Sequence, residues 1–398
     1  MTGAGQPSTT SSRRLLIVLV CMINWGIGCL YLAPLRMRPI WDLPQFYFAA
    51  KLIRAGKISL LYDKSAYVPL NAELAKSDPL AAKYSTYFNR PAFEAPLFLP
   101  LAFLSYRAAG ILVLIVNFGL LALLVWRIPK WLYAPRDSRI WLFVFMPFLH
   151  SIAFGQDTLL LTLLVAFGLH LLLDKQDIPS GAVLALAVFK PHLLCAVPFA
   201  LIAGKKWKAL CSFMFTAGAL ALVSFTIVGI RGIRNWAELL RAPSTDAVPL
   251  LMGNLRALGL HCGTAAAFAA ASWALACFVI ALRYSPFLDK FAAALLAGLL
   301  FSPHTYLQDY SLAAIIGLIA LYPGTKYLLL LPWPYFYPFT DLLPFILLGL
   351  ACLTCLAARP VILRWNEWCL VRKTYDIGLE GQGRQPVLAE ECMRDTRG

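Results

Sequence analysis

The sequence predicts an all-α polytopic membrane protein. Hydrophobic residues make up 60% of the chain and charged residues 14%, with a mean hydropathy of +0.70, whereas an ordinary soluble domain is about 45 to 50% apolar and about 25% charged. The apolar runs repeatedly reach the ~20 residues that cross a bilayer as a helix. They lack the period-2 alternation of outer-membrane strands, which argues against a barrel.

The net charge of +15 does not point to nucleic acid. Lys and Arg sit in short loops between apolar runs, and no aromatic-basic binding motif accompanies them. Orientation in the membrane and attraction to anionic lipid account for them. Most of the ten cysteines fall in or beside apolar runs, without zinc-site spacing, and read as small buried hydrophobes.

Positive charges in short loops mark the cytosolic side and set the order of the elements. Residues 1–14 form a cytosolic tail. Residues 15–35 follow Arg13-Arg14 without a small-x-small cleavage site, so they form a retained first helix and not a signal peptide. Residues 36–92 are too polar to span and form a long outer loop. Its Lys51, Arg54, Lys57, Lys64, Lys76, Lys83 and Arg90 depart from the simple charge rule, which applies weakly to long loops. Within the loop Phe46, Ala49, Ala50 and Ile53 share one helical face ahead of Gly56, which predicts a short helix lying in the interface. Residues 96–104 are apolar but short and broken by Pro100, so they dip into the outer leaflet or extend the next helix.

Residues 107–126 return to the cytosol, 140–154 go out to Gly155-Gln156-Asp157, and 159–173 come back to Asp174-Lys175. A single crossing over 181–203 would leave Lys205, Lys206 and Lys208 outside. A bend at Lys190-Pro191 removes the conflict by making a re-entrant hairpin, which is tolerated where irregular backbone is buried in protein. The chain then runs out from 210 to an outer segment at 231–260, back through 265–282 and out through 291–301. Three proline-broken apolar runs lead inside to a basic cytosolic tail at 359–398. The transmembrane domain covers 15–358, with roughly nine to eleven spanning helices besides the hairpin.

With this topology Asp42, Gln156, Lys190, His192 and His304 converge on the outer half of the membrane. Charged groups at such depth cost ~2.5 to 3.5 kcal/mol even on a permissive scale, and they usually line a cavity or pathway. A carboxylate just beyond the first helix can meet a lipid-linked substrate and water, which makes Asp42 a candidate general base. Lys190, His304 and a loop cation, Arg54 or Arg256, are candidates to meet a departing phosphate. Each has a plainer alternative: Asp42 as a helix cap beside Pro44, Lys190 as partner of a helix carbonyl, His304 as a helix-start residue, Gln156 as a group satisfying turn backbone. His150, His170 and His261 read as packed or interfacial.

The ordered motifs Asp42-Leu43-Pro44-Gln45-Phe46-Tyr47-Phe48-Ala49-Ala50, Gly56, Leu61-Tyr62-Asp63, Pro96-Leu97 through Pro100-Leu101, Gly155-Gln156, Phe189-Lys190-Pro191 and Ser302-Pro303-His304 resemble glycosyltransferase family 87. These are polyprenyl-phosphate-sugar-dependent membrane enzymes of the GT-C type, related in architecture to a phosphatidylinositol-mannoside mannosyltransferase. The resemblance covers roughly residues 15–330. It implies an inverting hexosyltransferase of the plasma membrane with its site facing out and Asp42 as base. The donor would be a polyprenyl-phosphate monosaccharide, mannose by resemblance, and the acceptor a lipid or glycan. No cofactor, metal or nucleic acid is expected. Glu94 departs from the aromatic expected before Pro96, which leaves it as a determinant of acceptor recognition or a solvated border residue. A transporter or flippase of lipid-linked sugars is the alternative class, and a structural membrane protein the third.

Overall fold

A computed structural model of the chain describes residues 42–83, 85–134, 138–143, 145–241, 252–319 and 346–360. The expected first helix, the apolar runs between 320 and 345, and the tail beyond 360 lie outside the described residues. Regular structure within the described residues is helical throughout. The elements used below are α1 (Leu43–Arg54), α2 (Lys64–Ser77), α3 (Tyr106–Trp131), α4 (Met146–Phe154), α5 (Thr158–Leu173), α6 (Asp177–Leu186), α7 (Val197–Ala203), α8 (Trp207–Arg241), α9 (Leu255–Cys262), α10 (Thr264–Tyr284), α11 (Phe287–Phe301), α12 (Ala313–Ile319) and α13 (Ile346–Pro360). Among them α3, α8 and α10 are long and apolar enough to cross a membrane. Side chains on these three, such as Ile115, Phe215 and Phe268, remain exposed, as expected of a surface that lipid covers.

The helices pack into two hydrophobic cores. The larger is built by α3 to α13, with Ala209 and Phe213 from α8. The smaller joins α1, α2, the 3-10 run Ala92–Phe103 and Val228 of α8. Here the structure corrects two expectations. Helix α1 does not lie in the interface with one open face: Leu43 to Ala50 are all buried, because the proline-containing run Ala92–Phe103 and the aromatic rings of Phe88 and Phe98 cover it. The run itself ends before Ser105, whose side chain caps α3 by accepting from the Ala108 amide at 3.3 Å, so it neither extends that helix nor continues it. A third correction concerns 140–154, which is split into Ser138–Phe143 and α4, with Phe145 extended between them and Pro147 starting the second piece.

The region around Lys190 doubles back. α6 gives way to a 3-10 turn at Ala187–Phe189, and Lys190 leaves helical geometry (φ −115°, ψ 71°) before Pro191–Leu194 and α7. The two ends of this segment meet: Lys206 Nζ lies 3.2 Å from Asp177 Oδ1, and Ser212 Oγ donates to the Ile178 carbonyl at 2.7 Å. Gly181 permits the approach, since a Cβ there would stand 2.1 Å from the Ala209 carbonyl oxygen. Residues 177–206 therefore form a hairpin and not a single crossing.

Contacts of this kind sort the bundle into two ends. Trp131, Asp174, Asp177, Ala203, Lys206, Lys290 and Arg359 mark one end through ion pairs, ring contacts and hydrogen bonds. Asp42, Arg90, Gln156, Lys190 and Asp309 mark the other. The long α8 connects them. About 33 Å of helix leads from Trp207 to Gly229, where φ 65° and ψ −178° bend it in a conformation that essentially only glycine adopts. Beyond the bend Trp236 stacks on Tyr62 and donates to the Asn89 carbonyl at 3.0 Å, so this part of α8 roofs the smaller core.

Candidate active site

Five chain segments bring the site together, one of them the stretch that carries Arg90 and Glu94 at the start of the 3-10 run Ala92–Phe103. Of the other four, the first is the start of α1: the Asp42 amide donates to the Phe154 carbonyl at 3.2 Å, which ties this helix to the end of α4. The second is the turn after α4. Gly155 takes the left-handed conformation (φ 65°) that ends a helix with least strain, and Gln156 and Asp157 follow it into the interior. The third is the hairpin apex at Lys190. The fourth is the 3-10 segment Leu307–Leu312, in which Asp309 Oδ2 accepts from the Tyr306 amide at 3.0 Å.

Their side chains form one network. Gln156 Nε2 donates to Asp42 Oδ2, and Gln45 Nε2 donates to Asp42 Oδ1 at 3.1 Å. Gln156 Oε1 accepts from Arg90 Nη2 at 3.0 Å and from Lys190 Nζ at 3.3 Å. Both cations also reach Asp157 Oδ1 at 3.3 Å, and Lys190 Nζ lies 2.7 Å from Asp309 Oδ1. Arg90 is fixed from behind, since its carbonyl accepts from the Tyr62 hydroxyl at 2.6 Å. Glu94 is only 1% exposed and lies beside Asp157.

The electrostatics follow from burial. Loss of solvent raises Asp42 above the ordinary aspartate value, against the Gln156 hydrogen bond and the charges of Arg90 and Lys190. Burial and the neighbouring charge of Asp157 push Glu94 well above the usual carboxylate range. His304 is lowered to about 4, first by burial and then by Arg90, Lys190 and Arg256, so it is neutral near pH 7.

Several plainer alternatives fail on this geometry. Asp42 stands at the N-cap position but its side chain makes no capping bond. Lys190 bonds to carboxylates and an amide oxygen, and Gln156 to side chains, where a backbone role was the alternative for each. Glu94 is buried, which removes the solvated-border reading. His304 lies in the loop before the Tyr306 cap and packs edge-on against the Tyr306 ring, so it does not start a helix.

Other candidate residues stand differently from the expectation. Arg54 is at the far end of α1 from Asp42, about 18 Å along the axis. Its guanidinium donates to the Ala102 carbonyl at 2.8 Å and covers the Phe103 ring, away from the network. The Lys190 ammonium has three donors and meets Gln156, Asp157 and Asp309 with them. A direct phosphate contact by Lys190 would displace one of these, and Gln156 is engaged by Arg90, Lys190 and Asp42. His192 and His304 are half-buried within electrostatic reach of Asp309, and Arg256 is exposed on α9 within reach of His304.

Sequence reasoning passed over Arg90, Asp157 and Asp309 as site residues. A usable signal was present: a lysine at membrane depth requires an acidic partner, and Asp157 and Asp309 lie in the same two motifs that supplied Gln156 and His304.

A bundle with membrane-length helices and an ionic network enclosed at one end defines a polytopic membrane protein with a candidate active site. Residues 88–303 match the model of Glycosyltransferase family 87, more than half of the chain. The chain belongs to this family and is a membrane glycosyltransferase. The match covers Arg90, Glu94, Gln156, Asp157 and Lys190, while His304 and Asp309 lie just beyond its end and Asp42 well before its start. No curated protein and no solved structure matches the chain.

Proposed function

We propose that the protein transfers a monosaccharide, mannose by family resemblance, from a polyprenyl-phosphate donor to a hydroxyl of a lipid or glycan acceptor, at the outer face of the plasma membrane with both termini in the cytosol. The observation that carries this reading is Asp42: a half-buried carboxylate whose oxygens face amide donors instead of a helix end, at the edge of the one ionic network described here. In the step proposed, the acceptor hydroxyl loses its proton to Asp42 while its oxygen bonds to the anomeric carbon. The bond from that carbon to the phosphate oxygen breaks, and its electron pair leaves with polyprenyl phosphate. A single displacement inverts the anomeric centre.

Geometry favours His304, His192 and Arg256 as the groups that meet the leaving phosphate. A neutral His304 does so as a hydrogen-bond donor, and Arg256 as the exposed charge. Arg90 and Lys190 supply positive potential from behind. The basic end of the bundle around Lys175 and Lys206 is assigned to the cytosol, which leaves the network on the outer side.

Purified protein incubated with a radiolabelled polyprenyl-phosphate sugar and lipid or glycan acceptors tests the reading. Label transferred to an acceptor with release of polyprenyl phosphate is the expected outcome. Donor recovered intact, and moved across a vesicle membrane, would replace it with the transporter class.

A further inference from the structure

We propose that Gln156 is a positioning residue for Asp42, locked in its donating orientation by Arg90 and Lys190. A glutamine amide has a donor end and an acceptor end of similar shape, and either can face a neighbour. Here two cations converge on Oε1, from the segment before Ala92–Phe103 and from the hairpin apex. With the oxygen claimed twice, only the NH2 group is left for Asp42 Oδ2. The cations are held in turn by Asp157, which both reach, and by Asp309, whose second oxygen is pinned by the Tyr306 amide. The consequence is chemical: with Gln45 on its other oxygen, Asp42 receives two amide donors that favour the ionised form against the cost of burial.

This inference rests on the reading of Asp42 as the general base. The ionisable groups around Asp42 are Arg90 and Glu94 from one side, Asp157 from the turn before α5, Lys190 from the apex and Asp309 from the 3-10 segment, with His192 and His304 beyond Asp309. A change at position 156 alone alters the immediate hydrogen bond and leaves these charges in place.

Gln156→Glu is the decisive variant. It keeps an oxygen for Arg90 and Lys190, and replaces the donor facing Asp42 with a second carboxyl oxygen. Two carboxyl groups at hydrogen-bond distance share a proton, so the acidic limb of the kcat/KM profile should move up by about one pH unit or more, with rates approaching wild type at high pH. Gln156→Met, of similar length and without the donor, should move the limb in the same direction should the glutamate variant not accumulate. Arg90→Lys keeps the charge and is expected to shift the limb less than either. A uniform loss of rate with the limb unmoved in both position-156 variants overturns the clamp. Asp42→Asn separates the two claims: full turnover in that variant removes the base reading itself, whereas an inactive Asp42→Asn beside an unmoved limb removes only the role of Gln156.

Discussion

The two ends of the bundle both bury acidic groups, and they treat them differently. At the end marked by Lys206 and Lys290, fully buried Asp289 bonds to Arg359, so a carboxylate and a guanidinium cancel where they meet. At the site end Arg90 and Lys190 lie among Asp42, Glu94, Asp157 and Asp309, four carboxyl groups about two cations, with an amide at the centre. In the first arrangement the formal charges balance. The second holds two more carboxyl groups than cations, and burial beside Asp157 raises Glu94 well above the usual carboxylate range. Buried charge that does not pair evenly is costly and is characteristic of sites that do chemistry.

The strongest way to break this comparison is Asp42→Asn against Arg359→Met. We expect the first to lower turnover by ~10²- to 10⁴-fold in protein that purifies normally, since a general base contributes about that much. Arg359→Met should lower thermal stability in detergent while the folded fraction keeps its specific activity. Equal losses of turnover in the two would dissolve the distinction between the ends.

Next in size is Lys190→Met. Removing one partner of a buried ionic network costs ~3 to 5 kcal/mol because the remaining charges lose their compensation, here Asp157 and Asp309 together. Arg359→Met should cost less, because Arg359 is partly exposed and water can reach the gap it leaves. In Lys190→Met the surviving folded protein should also turn over more slowly, in contrast to Arg359→Met. Thermal unfolding with and without an activity readout distinguishes the two.

The smallest effect sharpens the comparison most. A protonated Glu94 is matched in shape and donor capacity by glutamine, so Glu94→Gln should change stability by no more than about 0.5 kcal/mol and leave turnover near wild type. A large loss at neutral pH would mean that Glu94 is ionised, and that the acid excess is handled in another way.

Much of this was legible in the sequence, for definable reasons. Hydropathy over 107–126, 159–173 and 265–282 identified α3, α5 and α10, because long apolar runs depend little on tertiary context. The hairpin was legible because Lys205, Lys206 and Lys208 could not stand opposite Lys175 without breaking the charge rule. Helix α1 was misjudged because amphipathic spacing cannot reveal that Tyr106 and Tyr67 pack on Tyr47 and Phe48, off the predicted face. For the site, Asp42, Gln156 and Lys190 were found from motif and depth, yet which of them touch one another was not. Arg90 sat in a basic loop and looked like one more surface charge, and only the folded chain reveals that Tyr62 and Gln156 hold it inside.

Because residues 177–206 enter and leave by the same side, the segment counts as no crossing at all. Its gain or loss would leave the sidedness of every later helix as it was, whereas loss of α3 or α10 alone would turn the remainder of the chain over. Lys190 travels about 20 Å inward from Asp177 and never passes through to the opposite water. An insertion machinery that resists translocating positive charge can therefore deliver this lysine deep into the bundle from the side on which Lys206 stays, with its acidic partners waiting just before α5 and beyond α11.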